Sequence, residues 1–311
     1  MYHGVLRIYK EKGYTSHDVV GKLRGILKQK KIGHTGTLDP DAEGVLPVCL
    51  GSATKLCDML TDSDKTYETI CKLGIETDTQ DLSGTILKTS DTGFVTEEQI
   101  CSAVREFIGD YEQVPPMYSA LKVNGKKLYE YAREGIEIER KSRHVTIYSI
   151  QIKKIDLEGM EITMEVHCSK GTYIRTLCHD LGKKLGCGGC MKQLFRTKAA
   201  GFSISECKTL EEIKQCVVEN QLMELLIPVD EMFACYPACQ VVSEEGMKRL
   251  TNGNLLLKKH LTPYEIMMKK ELPLGKVNLN SWVRVYDSHG IFQAVYEEKS
   301  GQFVPVKTFF Q

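Results

Sequence analysis

The stretch Gly33-His34-Thr35-Gly36-Thr37-Leu38-Asp39-Pro40 sets an imidazole and a carboxylate in one glycine-rich run. Pro40 biases Asp39 toward an extended backbone, which can hold its side chain outward. A carboxylate presented that way can act as a nucleophile, or as an anion facing a cationic transition state. No lysine follows the glycines, so this is not a phosphate-binding Walker loop, and His34 has no second ligand at helical spacing. Taken alone, an Asp before Pro is more often a plain turn. Cys187-Gly-Gly-Cys190 has the spacing of half a metal site or of a redox pair, but no second Cys or His pair lies at zinc-finger spacing.

The elements around the loop follow from periodicity. Val5 to Tyr9 reads as a short strand, and after the Gly13 turn a helix opens near Ser16 with apolar residues at Val19, Val20, Leu23, Ile26 and Leu27. Gly33 to Gly44 is too rich in Gly, Thr, Asp and Pro for regular structure, and the apolar run Val45 to Leu50 predicts a strand behind it. Alternation at Tyr67, Thr69, Cys71 and Leu73 predicts another strand. Thr96 with Gln99 predicts a helix start, with its end at Gly109. Strands are expected at Val145 to Ile155 and Ile162 to Cys168, and a helix over Tyr173 to Leu185 closed by Gly186. Helix and strand mix without a βαβ rhythm, which predicts an α+β fold. Beyond a change of pattern at Pro228 to Pro237, the runs Trp282 to Tyr286, Ile291 to Tyr296 and Phe303 to Phe309 predict a small all-β domain.

The chain has 311 residues, 42% hydrophobic and 26% charged, enough for two cores and typical of a folded protein. No signal-like or spanning apolar stretch occurs, so a cytoplasmic protein with reduced thiols is expected despite twelve cysteines. Forty-one basic residues balance 41 acidic ones, but the signs are separated. Cys168 to Lys198 holds seven Lys or Arg and the single acid Asp180, whereas Glu76 to Glu112 holds nine acids against Lys88 and Arg105. Lys22, Arg24, Lys28, Lys30 and Lys31 form a second basic run. Such a pattern fits solvated helix faces, and it also fits one basic face for a phosphate backbone.

GHTGTLDPDAEGVLPVCLGSATK resembles the signature of the TruB-type tRNA pseudouridine synthases. KTYETICKLGIETDTQDLSG, QVPPMYSALKVNGKKLYEYAREG and VHCSKGTYIRTLCHDLGKKLGCG resemble the family's later blocks, in order and at similar separations, across about residues 30 to 200. The resemblance implies the pseudouridine synthase fold with a mixed, largely antiparallel sheet over residues 1–231, and a PUA-like RNA-binding domain over residues 232–311. It implies an RNA-gripping insertion at about 120–145, where Asn124-Gly125 also reads as a hairpin turn.

By the same resemblance Asp39 is the catalytic aspartate, Tyr67 the aromatic that stacks on the target base, and Arg175 the arginine paired with Asp39. His34 is similar to the histidine that fills the space left by extruded nucleotides, and Lys10, Tyr173 and Leu194 fall on pocket positions. Lys10-Glu11-Lys12 departs from the family's more usual Lys-Pro pair and bears on the shape of that turn. The implied substrate is the T arm of tRNA, modified at the T-loop uridine (tRNA position 55), by a monomer needing neither cofactor nor metal, nor an obligate protein partner. A non-catalytic RNA-binding or tRNA-folding module and a guide-RNA-directed synthase are the alternatives.

Overall fold

The structure is a computed structural model and describes residues 1–265 and 282–310. The chain packs as two compact units: Met1–Pro40, Gly44–Ser63 and Ala199–Gln311 form the first, and Asp41–Glu43 with Asp64–Lys198 form the second.

In the first unit, β1 (Gly4–Lys10) is followed by α1 (Ser16–Leu27), β2 (Ile32–His34), β3 (Glu43–Leu50), a short 3-10 turn over Gly51–Leu56 and α2 (Cys57–Thr61). β1 pairs antiparallel with β3 from Gly4 opposite Leu50 to Lys10 opposite Gly44. β2 takes the other edge of β3, with His34 opposite Val48. A capping box starts α1: Thr15 Oγ1 accepts from the Asp18 amide at 3.0 Å, and Asp18 Oδ2 accepts from the Thr15 amide at 2.8 Å. Val19, Val20, Leu23 and Leu27 then bury one stripe of α1 against Leu6, Ile8, Leu46, Val48 and Leu50. Each such side chain contributes about 1.5–3 kcal/mol on burial, so the helix is held by packing more than by propensity. The opposite face of β3, through Val45 and Cys49, enters a second core.

The second unit contains β4 (Lys65–Leu73), β5 (Ile75–Thr77), β6 (Ile86–Thr89), α3 (Glu97–Arg105), β7 (Gly109–Gln113), β8 (Lys122–Val123), β9 (Lys126–Lys127), α4 (Leu128–Arg133), β10 (Arg143–Asp156), β11 (Glu161–Cys168), α5 (Ile174–Lys184) and β12 (Gly189–Ala199). Its sheet runs β12-β4-β11-β10-β7. Lys65, Tyr67, Thr69, Cys71 and Leu73 alternate inward along β4, as do Ile162, Met164, Val166 and Cys168 along β11. The α3 helix ends at Arg105, short of the expected Gly109: Phe107 and Ile108 close i to i+3 turns onto Val104 and Arg105, and Gly109 opens β7 at a φ of 108°. Asn124 and Gly125, both at positive φ, make the hairpin turn between β8 and β9.

The chain returns to the first unit with β13 (Phe202–Ser203), α6 (Leu210–Val218), α7 (Leu222–Leu225), β14 (Ala238–Val241), α8 (Glu244–Thr251), β15 (Leu256–Leu257), β16 (Leu261–Pro263), β17 (Trp282–Tyr286), β18 (Phe292–Lys299) and β19 (Gln302–Thr308). The late strands form a six-stranded sheet ordered β15-β19-β18-β17-β14-β16. Val295 and Phe309 from this region share a core with Phe233, Tyr236, Val5, Val45, Cys49 and Leu56, so residues on both sides of position 231 are buried together. Among the described residues no helix is long and apolar enough to cross a membrane.

Candidate active site

The loop between β2 and β3 is fastened at three points. Thr35 donates its amide to Pro47 O at 3.1 Å and its hydroxyl to the same carbonyl at 3.3 Å. Leu38 is buried, and its amide donates to Ser16 Oγ at 3.0 Å at the start of α1. Pro40 O accepts from the Gly13 amide at 2.9 Å and from Lys10 Nζ at 3.2 Å. Asp39 is thus a half-buried residue between two anchored neighbours. Gly36, at a φ of 96°, supplies the reversal that lets the chain reach the second anchor, a conformation costly for other residues.

Lys10 is fully buried and also donates to Glu11 O at 3.2 Å. The turn where the sequence departs from Lys-Pro is therefore tied twice to Pro40, next to Asp39. His34 is half-buried, and its ring meets that of His17 edge-on with centroids 5.3 Å apart.

In the second unit, Tyr67 faces inward on β4 opposite Val166, with 8% of its surface exposed. Thr66 O accepts from Thr197 Oγ1 at 3.2 Å and Thr69 Oγ1 donates to Gln193 O at 2.8 Å. These bonds bracket the short stretches carrying Tyr67 on β4 and Leu194 on β12, and Leu194 is buried. Cys71 Sγ contacts Cys178 O at 3.7 Å midway along α5. The far ends meet where Gly74 donates to Gly188 O and Gly188 to Gly182 O, both at 3.0 Å. A Cβ on Gly182 would lie 2.2 Å from the Gly188 carbonyl carbon, so only glycine permits this approach. β4 and α5 therefore run the same way, which places Tyr67 and Arg175 toward one end.

Tyr173, at the N-cap of α5, exchanges two bonds with the buried Gln113: its amide donates to Oε1 at 2.7 Å and its carbonyl accepts from Nε2 at 3.0 Å. Arg175 lies on the first turn. Its Nη1 donates to Thr79 O at 3.3 Å and to Asp81 Oδ2 at 3.4 Å, and its Nη2 donates to Tyr118 O at 2.9 Å. Asp81 also accepts from Thr79 Oγ1 at 2.7 Å and from the Ser83 amide at 3.0 Å. A buried guanidinium is tolerated only with such pairing. Asp81, Gln113, Ser16 and Tyr118 were not singled out from the sequence. Asp81, Gln113 and Tyr118 lie inside the matched blocks, and for Asp81 and Tyr118 the available signal is the need of a buried arginine for an acceptor.

Among the described residues no group of three His, Cys, Asp or Glu side chains is placed to hold a metal ion. Cys187 and Cys190 are buried, and burial raises the first thiol's pKa and pushes the second up to about 11, which favours inert protonated thiols.

Residues 24–174 match the N-terminal domain of the TruB family pseudouridylate synthases, and residues 175–234 match the tRNA pseudouridylate synthase B C-terminal domain. The chain is 50% identical over 315 aligned positions to tRNA pseudouridine synthase B of Lachnoclostridium phytofermentans, covering 99% of each. The chain belongs to the TruB family. It is accordingly a pseudouridine synthase, and the TruB matches span both the Asp39 loop and the Tyr67–Arg175 region. Another TruB-family relative, tRNA pseudouridine synthase B of Clostridium kluyveri, is 44% identical over 98% of this chain and 99% of its own. Among solved structures, a chain of a Cbf5-Nop10-Gar1 complex aligns with a TM-score of 0.70 at 25% identity, over 99% of this chain and 85% of that one. The observed α+β architecture with a late all-β region is that of the pseudouridine synthases.

Proposed function

We propose that this enzyme converts the T-loop uridine at tRNA position 55 to pseudouridine, with the Asp39 carboxylate acting at the ribose. The observation that carries this reading is the double anchoring of Leu38 and Pro40, which fixes the backbone on both sides of Asp39. The relatives' name, tRNA pseudouridine synthase B, supports tRNA as the substrate.

The reaction is an isomerisation. The N1–C1′ bond breaks, the uracil turns in place, C5 joins C1′, and the proton leaving C5 is replaced by one gained at N1. Asp39 captures C1′ or stabilises it as an oxocarbenium-like centre. Arg175 pairs with Asp39 and favours its ionised form, a role suited to a group that cannot lose its charge. Extruding the base costs a few kcal/mol, and stacking on Tyr67 returns about 1–3 kcal/mol. His34 fills the gap in the RNA, Leu194 keeps water from the loose uracil, and Lys10 and Tyr173 shape the pocket. No redox change occurs and no cofactor or metal is required. The chain works as a monomer on a bare T arm without a guide RNA, using residues 1–231 for chemistry, the insertion at about 120–145 to grip the hairpin, and the PUA-like residues 232–311 to hold the rest of the tRNA.

The test is to incubate purified protein with an unmodified tRNA transcript and with its T-arm hairpin, then map pseudouridine at single-nucleotide resolution. Product at position 55 in both supports the proposal. Modification elsewhere, or none without added protein or RNA partners, defeats it.

A further inference from the structure

None of the cysteines takes part in the steps above, yet two of them meet under the loop that carries His34 and Asp39. Cys49 on β3 is the cross-strand partner of Gly33 on β2. Directly opposed residues of an antiparallel pair send their side chains to the same face, with Cβ atoms about 4.5–5.5 Å apart. A Cβ built on Gly33 would lie 3.0 Å from Cys57 Sγ. The sulfur of Cys57, at the start of α2, therefore occupies the space that glycine leaves empty, beside the Cys49 thiol. The two side chains pack in the same core, Cys49 buried and Cys57 partly open to solvent.

We propose that Cys49 and Cys57 are a redox-active dithiol that a hydroperoxide closes to a disulfide, making the base of the Gly33–His34 strand an oxidative modification site. The roles follow from the environments. The neighbouring Cys49 thiol holds Cys57 below the ordinary thiol pKa, assisted by Lys307 and opposed by burial and Asp58, whereas Cys49 is raised well above it. Cys57 is thus the attacking sulfur and Cys49 the resolving one.

The Cys57 thiolate attacks one peroxide oxygen, the O–O bond breaks, and the leaving hydroxide takes up a proton to become water. The sulfenic acid formed on Cys57 is then attacked by the Cys49 sulfur, which loses its proton as a second water leaves. Two thiols are oxidised by two electrons and one peroxide is reduced to two waters. An S–S bond of about 2.05 Å draws the two sulfurs closer than non-bonded contact allows. The Cys57 sulfur must then move relative to Gly33, and His34 is the next residue. Other cysteine neighbours lack this access: Cys71 and Cys178 are both fully enclosed.

The test treats reduced full-length protein with a few equivalents of hydrogen peroxide, blocks remaining thiols and maps peptides by mass. The expected product is one dithiothreitol-reversible link between Cys49 and Cys57. Cys49→Ser should stop at a Cys57 sulfenic acid captured by dimedone, and Cys57→Ser should leave Cys49 reduced. The linked protein should bind a T-arm hairpin at least about threefold more weakly, with Cys57→Ser indifferent to peroxide. Cys49 and Cys57 remaining unlinked while other cysteines oxidise would overturn the proposal, as would unchanged hairpin binding by fully linked protein. The binding readout rests on the proposed function. If the reduced protein fails to bind the hairpin at all, that function falls, and the peptide map still decides whether the dithiol closes.

Discussion

Arg175 Nη1 meets Asp81 Oδ2 at 3.4 Å, with 7% and 15% of the two side chains exposed. This pair helps fix a charge at the start of α5, and the Asp81 turn is itself secured to β12 where Met191 donates to Gln80 O at 2.9 Å. Asp81→Ala would remove this carboxylate partner from a buried guanidinium and keep its bonds to Thr79 O and Tyr118 O. Breaking such a pair costs about 3–5 kcal/mol when no other partner remains, and the bonds to Thr79 O and Tyr118 O place the expected loss below that range. Urea unfolding should show it, together with a fall in single-turnover rate. Unchanged stability and rate would show that Asp81 is dispensable for holding Arg175.

Asp39→Asn keeps size and removes charge. Hairpin binding should persist while single-turnover pseudouridine formation falls by at least about a hundredfold, because the charge acts where positive character develops at the sugar. Tyr67→Phe keeps the stacking face and should retain binding with slower turnover, if the hydroxyl helps to move the C5 proton. Substantial turnover by folded Asp39→Asn would remove the mechanism proposed above.

Gln113→Leu removes both bonds to the Tyr173 backbone at the N-cap of α5. Leaving one buried donor or acceptor unmet costs about 1–3 kcal/mol, and Arg175 sits two residues further along. The expected result is a lowered urea midpoint and a lower turnover rate with near-normal hairpin affinity. A rate equal to wild type would show that the α5 terminus holds without this clamp.

Phe309 is 1% exposed and its ring stacks on Phe292 with centroids 5.5 Å apart. Phe309→Ala should cost about 3–5 kcal/mol, read as a lower melting temperature. Truncation before residue 232 should likewise destabilise the remainder, since Phe233, Tyr236, Val295 and Phe309 would be stripped from a core shared with Val5, Val45 and Leu56. A truncated chain with wild-type melting would contradict the shared core.

RNA affinity should fall with salt, with a slope of about −0.7 to −0.9 per phosphate contact. The basic runs at Lys22 to Lys31 and Lys170 to Lys198 motivate this expectation. Titration by fluorescence anisotropy at several ionic strengths checks it, and salt-independent binding would refute a phosphate-facing surface.

The sequence by itself determined the local elements. Thr15 with Asp18 and Thr96 with Gln99 announce helix starts, and the alternation from Tyr67 to Leu73 announces a strand, because caps and side-chain periods depend on near neighbours. It also marked the Asp39 loop through four ordered blocks. What it left open were relationships between distant residues: Asp81 with Arg175, Gln113 with Tyr173, Ser16 with Leu38, and Cys57 over Gly33. The helix end at Arg105 instead of Gly109 belongs with these, since Gly109 is taken into β7 by pairing with Ile147. Such choices are set by which buried polar groups and sulfurs find partners after the strands and helices pack, and one-dimensional spacing carries no record of that packing.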